Sequence, residues 1–302
     1  SIEVMVIASF FIGLTSVVPQ IFVPIAAQLS QPEKKGRNVG IVMSGLLIGI
    51  LASRVFSGIL GEYLGWRAVF FIAAGMMFVL ALFILWLLPE MKPTFGGTYL
   101  RLMTSIVRYV KEIPTLRLAS LRGALGFASF SVFWTTLTFR LEQPPFFQGS
   151  DVAGSLGLAG IAGALAASYT GYIAGKINRN NLISMACIMM IFSWGIFWLG
   201  GDSYMGLIAG IIILDLGLQA MHVTNQTIVF SMYPEASNRL NTVYMVSYFV
   251  GGSLGTFIGG IVWNDYGWNG VLCVGASFVL LCLIVHFILS GMPKYRKHLT
   301  SL

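Results

Sequence analysis

Residues 211–226 read IIILDLGLQAMHVTNQ, which sets a row of polar side chains inside a long apolar run. The row consists of four side chains, which we call the polar stripe: Asp215, Gln219, His222 and Gln226. Their spacing of four, three and four residues places them on one face of an α-helix. A helix surrounded by hydrocarbon carries such groups only where that face meets protein, water or a ligand.

The composition of the chain is that of an integral membrane protein. Of the 302 residues, 57% are hydrophobic and only 10% are charged, and the mean hydropathy is +0.84. Soluble domains carry about a quarter charged residues. The net charge of +7 does not indicate a nucleic-acid partner, because the cations lie in short loops between apolar runs. The three cysteines fall in apolar spans and are interpreted as small core residues without a disulfide or metal role.

Nine apolar segments are long enough to cross about 30 Å of hydrocarbon as helices. The sequence therefore predicts an all-α polytopic membrane protein. The predicted spans are residues 3–29, 39–60, 68–88, 118–139, 152–174, 182–199, 204–232, 243–262 and 271–289.

The distribution of Lys and Arg predicts the orientation of these spans. Basic residues concentrate in every second loop and in the C-terminal tail, and basic loops stay in the cytoplasm. The first residue is therefore expected outside and the C-terminus inside, in a lipid bilayer that we take to be the bacterial cytoplasmic membrane. A monomer is expected. The basic set comprises Lys34, Lys35, Arg37, Lys92, Arg101, Arg108, Lys111, Arg117, Lys176, Arg179, Arg239, Lys294, Arg296 and Lys297.

An internal repeat divides the chain into two parts. A shift of 202 residues aligns Arg37 with Arg239, and Gly65-Trp66 with Gly267-Trp268. The first three spans thus match the last three, while the middle three have no partner in the sequence. We expect the remainder of an N-terminal half at residues 1–91, a cytoplasmic linker with a short amphipathic helix at 92–116, and a C-terminal half at 117–302. Three further spans would precede residue 1; a genuine nine-helix chain is the alternative.

Two segments resemble a pattern of the major facilitator superfamily. In that family a Gly-Pro-x-x-Gly-Gly pattern precedes a Trp-Arg pair, and residues 53–58 and 255–260 occupy the corresponding places, each followed by Gly-Trp. The loops 175–180 and 234–241 also resemble family loops, the second one that of bacterial efflux-type members. The resemblance implies a twelve-helix bundle, of which nine helices are present here. Arg54 replaces the proline that the family's antiporters carry, which leaves the direction of transport open.

Asp215 and Arg54 are predicted to be the only charges deep within apolar spans. Burial in lipid costs a charged group at least about 2.5–3.5 kcal/mol, so each should face a cavity or a partner. Asp215 is the candidate proton-coupling carboxylate, with His222 as a relay, because both can load and release a proton. An interhelical hydrogen-bond network is the structural alternative. Arg54 is expected either to pair transiently with Asp215 or to snorkel outward.

The candidate solute contacts are the amides of Gln219 and Gln226, their repeat-related counterpart Gln20, and the aromatic ring of Trp134. Three motif glycines, Gly58, Gly255 and Gly259, are expected to allow close helix packing or sliding.

No sequence motif of an enzyme is found, and no cofactor or metal is expected. The sequence predicts a secondary transporter that moves a small organic solute by alternating access, with proton-coupled efflux as the leading interpretation. A proton-symport importer and a non-transporting or inactive truncated membrane protein are the alternatives.

Overall fold

The computed structural model describes residues 2–16, 22, 25–26, 29–31, 35–89, 98–160, 177–233, 236–292 and 295. The described residues are mainly helical and include no β-strand, which confirms the predicted all-α class. The chain forms two compact units, Ser1–Phe56 and Ser57–Leu302. The predicted solute contact Gln20, and most of the predicted span 152–174, lie outside the described residues.

The first unit contains α1 (Ile2–Thr15) and most of α2 (Lys35–Leu64), whose last turns belong to the second unit. The remaining helices of the second unit are α3 (Trp66–Leu87), α4 (Tyr99–Glu112), α5 (Pro114–Leu141), α6 (Ser150–Leu156) with a following 3₁₀ turn (Gly157–Gly160), α7 (Arg179–Gly200), α8 (Tyr204–Met232) and α9 (Ser237–Ser290). Among the described residues, α3, α7, α8 and α9 are long and apolar enough to cross a bilayer.

The helix α9 is two spans joined at one glycine. Gly267 has φ 60° and ψ −150°, a conformation that residues with a Cβ atom rarely adopt. It separates residues 237–266, called α9a, from residues 268–290, called α9b. Its repeat counterpart Gly65 also has a positive φ, of 79°, at the junction of α2 and α3. The two Gly-Trp pairs found in the sequence therefore mark equivalent breaks between spans.

Polar contacts group the helix ends at one end of the second unit. Arg140, near the end of α5, forms an ion pair with Asp202 in the α7–α8 connection. Its guanidinium carbon also lies 5.8 Å from the centre of the Trp268 ring at the start of α9b. This end corresponds to the predicted outer side.

At the opposite end, the start of α5 contacts the chain beyond α9b, since the Thr115 hydroxyl donates to the carbonyl oxygen of Tyr295 at 3.3 Å. The start of α9a contacts α4, because Arg239 donates to the Ser105 hydroxyl at 3.2 Å. A short helix, α4, is thus present within the predicted linker, and it contacts α9a inside the second unit. Its position at a lipid surface stays a prediction.

Glycines bring α9a into backbone contact with α5. A Cβ atom at Gly251 or Gly255 would overlap the carbonyl oxygen of Ala124 or Ala128, and one at Gly259 would lie 3.2 Å from the Cα of Val132. In hydrocarbon, where apolar side chains gain little by leaving lipid, such close approach is a main source of helix association. We call Gly251, Gly255 and Gly259 the glycine ridge. It fixes the positions of the side chains on the facing surfaces of α5 and α9a.

Candidate functional site

The polar stripe of α8 is turned mainly toward protein. Asp215 is buried, with 7% of its surface exposed, and Gln219, His222 and Gln226 are half-buried. The helix begins after Ser203, whose hydroxyl accepts a hydrogen bond from the backbone N–H of Gly206 at 3.1 Å. The stripe is therefore held on a regular helix rather than on a mobile loop.

Two tyrosines of α9a surround the His222 ring. Its Nδ1 lies 3.0 Å from the Tyr244 hydroxyl oxygen, which is hydrogen-bond distance. The centre of the His222 ring lies 4.6 Å from that of Tyr248. Tyr244 and Tyr248 are four residues apart, so they lie one above the other on the same helix face. Both tyrosines are buried.

Asp215 belongs to the same group of residues, because its carboxylate interacts electrostatically with the Tyr248 phenol. Tyr248 thus packs against the imidazole of His222 and is close enough to the Asp215 carboxylate, seven residues earlier on α8, to interact with it electrostatically. We call Asp215, His222, Tyr244 and Tyr248 the polar pocket. It contains two groups that can carry a proton and two phenols that can hydrogen-bond to them.

An aromatic row on α5 extends from the polar pocket. Phe127 stacks on Tyr248 with the ring centres 4.1 Å apart, and Phe130 stacks on Phe127 at 5.8 Å. Trp134 follows Phe130 at 5.9 Å. Trp134, predicted from the sequence as an aromatic wall, therefore stands at the far end of a row that begins at the pocket. Its contact with a solute stays a prediction.

The other candidate contacts lie on or near α8. The amide nitrogen of Gln226 lies 3.7 Å from the sulfur of Met245 on α9a, and Gln219 is half-buried. Asn225, fully buried on α8, has its side chain next to the Tyr244 hydroxyl and was not singled out from the sequence.

Of the motif residues, Gly58 is buried against α6, where a Cβ atom would lie 2.8 Å from the Ser150 carbonyl oxygen. Gly255 and Gly259 belong to the glycine ridge, so their geometry is that of packing.

Arg54 is half-buried on α2 within the first unit, whereas Asp215 lies in the second. An ion pair between Arg54 and Asp215 stays a prediction.

One sequence prediction about intramembrane charges is wrong. Arg122, on α5, is fully buried, so Asp215 and Arg54 are not the only charges deep within the apolar spans. The error arose from the helix boundary: α5 begins at Pro114, about two turns before Arg122, and not at residue 118. The cysteines were also not all core residues, because Cys273 is exposed on the surface of α9b.

Sequence reasoning missed Tyr244, Tyr248 and Phe127. The two tyrosines did carry a signal, since they lie four residues apart in an apolar span, but many aromatic pairs at that spacing only pack. Their role depends on which residues α8 and α5 present to them, and that is a property of tertiary structure.

Comparison with known proteins adds the family. The profile of the Major Facilitator Superfamily matches residues 1–256. The chain belongs to this superfamily. It is 41% identical to a protein named as the uncharacterized transporter YgaY of Escherichia coli O157:H7, over 94% of this chain and 72% of the relative.

More distant relatives carry similar names. A protein of Streptomyces coelicolor named as a probable transporter, SCO4007, is 32% identical over 88% of this chain and 62% of its own length. The inner membrane transport protein YnfM of Escherichia coli K12 is 25% identical over 86% of this chain and 61% of its own length. The resemblance found in the sequence is thereby confirmed: the chain is a multi-pass membrane protein of a transporter family.

Proposed function

We propose that the protein is a secondary transporter that exchanges protons for a small organic solute by alternating access around the polar pocket. One observation carries the proposal: where α8 meets α9a, the imidazole of His222 packs against Tyr248, and the buried Asp215 carboxylate interacts electrostatically with the same phenol. Ionisable side chains within membrane spans are costly, and in transporters they commonly line ion or solute pathways.

In the proposed cycle, Asp215 is the group that binds and releases the coupled proton. Burial favours the neutral carboxylic acid, and contact with water or with a cationic group favours the carboxylate. Rocking of the helical halves changes the access of the pocket from one side to the other, so the proton is loaded on one side and released on the other. His222, bonded to Tyr244, would pass the proton along the stripe toward the predicted cytoplasmic end.

The proposed solute site adjoins these groups. Phe127, Phe130 and Trp134 offer aromatic faces, and Gln219 and Gln226 offer amide donors and acceptors. Binding sites for small molecules combine such apolar walls with a few polar groups. We therefore propose a solute with an apolar or aromatic part and at least one hydrogen-bonding group.

Import by proton symport is the second candidate. It is favoured by Arg54, which stands where antiporters of the family have a proline. Antiport and symport differ in the sign of the pH gradient that drives solute into a vesicle. Antiport accumulates solute in vesicles with an acidic interior, because protons leave as solute enters. Symport accumulates it when the outside is more acidic.

The test is transport by the protein in proteoliposomes, with a pH gradient of either sign and a panel of drugs, sugars and organic acids. Asp215→Asn should abolish gradient-driven accumulation while solute exchange without a gradient persists. Asp265→Asn is the matched control, because Asp265 is exposed beside the break at Gly267, and it should transport like the unmodified protein. Undiminished gradient-driven accumulation in Asp215→Asn would refute the assignment of Asp215.

A further inference from the structure

A second cluster of reactive side chains lies outside the polar pocket and joins three helices. The Sγ atoms of Cys187 on α7 and Cys282 on α9b are 3.9 Å apart. The Cys282 sulfur also lies 3.7 Å from the backbone carbonyl oxygen of Arg122 on α5. All three residues are fully buried. The two cysteines are 95 residues apart in sequence, so no local sequence motif predicts the pair.

The Arg122 guanidinium is incompletely bonded at this position. Its Nε and Nη2 atoms are buried and have no hydrogen-bond partner in the part of the chain that the structure describes. Its charge interacts electrostatically with Cys187, Cys282 and His286. A buried cation requires an anion close by, and a thiolate is the anion that these neighbours can supply.

We propose that Cys187 and Cys282 form a binding site for a soft, two-coordinate metal cation of the Ag(I) or Cu(I) type. The facing sulfur atoms supply the two thiolates that such a cation prefers. Binding replaces two thiol protons by one metal ion, which leaves the metal–dithiolate unit with one negative charge. The positive charge of Arg122 neutralises it. We call Arg122, Cys187 and Cys282 the thiol site.

The ligand set selects against other metals. Zinc needs four ligands in structural sites and three in catalytic sites. In the described ranges there is no group of three or more His, Cys, Asp or Glu side chains that could hold a metal ion. His286 lies one turn beyond Cys282, and its Nε2 is 2.9 Å from the Ser184 hydroxyl oxygen, but it does not complete such a group among the described residues. Among the described residues the site thus offers two sulfur ligands, which suits a cation that is satisfied by two.

Oxidation of the pair to a disulfide is the competing outcome. It would transfer two electrons to an oxidant such as a peroxide, release two protons and join α7 to α9b. A disulfide carries no charge, so it would deprive Arg122 of an anion. The buried guanidinium therefore favours metal binding over oxidation.

The probe is Ag(I), which binds thiolates without oxidising them. Purified, reduced protein is incubated with Ag(I), desalted, and analysed for bound silver and for intact mass. The Cys273→Ala background removes the exposed cysteine. We expect one silver ion per chain in this background, and none when Cys187→Ala or Cys282→Ala is added. Retention of one silver ion by either double variant, Cys273→Ala with Cys187→Ala or Cys273→Ala with Cys282→Ala, would overturn the proposal. A loss of two hydrogen atoms in mass without silver would also overturn it, in favour of the disulfide.

Arg122 is tested as the neutralising charge. Groups around metal ligands typically change metal affinity by about 10- to 100-fold, and we expect Arg122→Gln to weaken Ag(I) binding by that factor. Arg122→Lys keeps a positive charge and should bind more tightly than Arg122→Gln. Elution as a single species in size-exclusion chromatography shows which variants are folded. If Arg122→Gln does not fold, the silver stoichiometry of the cysteine variants decides the proposal. Equal Ag(I) affinity in folded Arg122→Gln and the unmodified protein would refute the charge argument.

Discussion

The polar pocket and the thiol site are two solutions to the same problem, the placement of ionisable groups inside a bundle of apolar helices. In the pocket, His222 is half-buried and has a hydroxyl partner, and the Asp215 carboxylate interacts electrostatically with the Tyr248 phenol. In the thiol site, Arg122 is fully buried and two of its nitrogens lack a hydrogen-bond partner among the described residues. In the proposed function the pocket exchanges protons with its surroundings, whereas the thiol site holds a fixed charge.

The two regions nevertheless border the same two helices. The aromatic row beside the pocket lies on α5 and the pocket tyrosines lie on α9a, whereas the thiol site takes Arg122 from α5 and Cys282 from α9b. Tyr244 connects them, because it lies 3.0 Å from His222 and also interacts electrostatically with Cys282. The ring of Tyr244 packs where a Cβ atom at Gly123, the residue after Arg122, would lie 2.7 Å from its Cε2 atom.

The largest effect is expected at the glycine ridge, because a change there disturbs both regions. Gly255→Leu forces a side chain into the backbone of Ala128 and should lower the free energy of unfolding by about 3 kcal/mol, the upper end for overpacking. Both Ag(I) binding and transport should fall with it. The measurement is unfolding in mixed detergent micelles, followed by tryptophan fluorescence.

Gly260→Leu is the matched control for this variant. It makes the same substitution on the same helix, five residues further on, where no described atom beyond the adjacent helix backbone lies within 4 Å of the added Cβ. We expect a change of less than about 0.5 kcal/mol. Equal destabilisation by the two variants would show that the ridge does not hold α5 and α9a together.

A smaller and more selective effect is expected at Tyr244. Tyr244→Phe keeps the ring against Gly123 and removes only the hydroxyl that contacts His222. One hydrogen bond contributes about 1 kcal/mol, so the rate of proton-driven transport should fall about fivefold. The stoichiometry of Ag(I) binding should not change, because no sulfur is removed.

Tyr266→Phe provides the comparison, since Tyr266 is exposed near the end of α9a and loses the same hydroxyl. It should transport at the unmodified rate. If Tyr244→Phe were as active as Tyr266→Phe, the contact between Tyr244 and His222 would have no part in transport.

The two regions also differ in how far the sequence predicts them. The polar stripe is a local feature, since four residues at helical spacing predict one face of one helix. The helix that carries it, α8, has the predicted bounds, Tyr204–Met232. The repeated Gly-Trp pair predicted two equivalent junctions, and Gly65 and Gly267 share a positive φ. Such features depend on neighbours along the chain.

The thiol site and the tyrosines depend on residues that are distant in sequence. From the sequence, Arg122 resembles a charge near the end of a span. The helix α5 in fact begins at Pro114, so Arg122 lies two turns inside it. Cys187 and Cys282 look like ordinary apolar residues until α7 and α9b are placed side by side. Helix boundaries and helix neighbours are set by packing, which hydropathy and spacing do not report.

In the proposed function, Asp215 binds and releases a proton inside the bundle. The most direct measurement is the pH-induced infrared difference spectrum of the protein in lipid, in which a protonated carboxylic acid has its own carbonyl stretching band. We predict that a carbonyl band of a buried carboxylic acid appears on acidification, that it is absent in Asp215→Asn, and that it persists in Asp265→Asn. The same band in Asp215→Asn would refute this role of Asp215, because another group would then carry the proton.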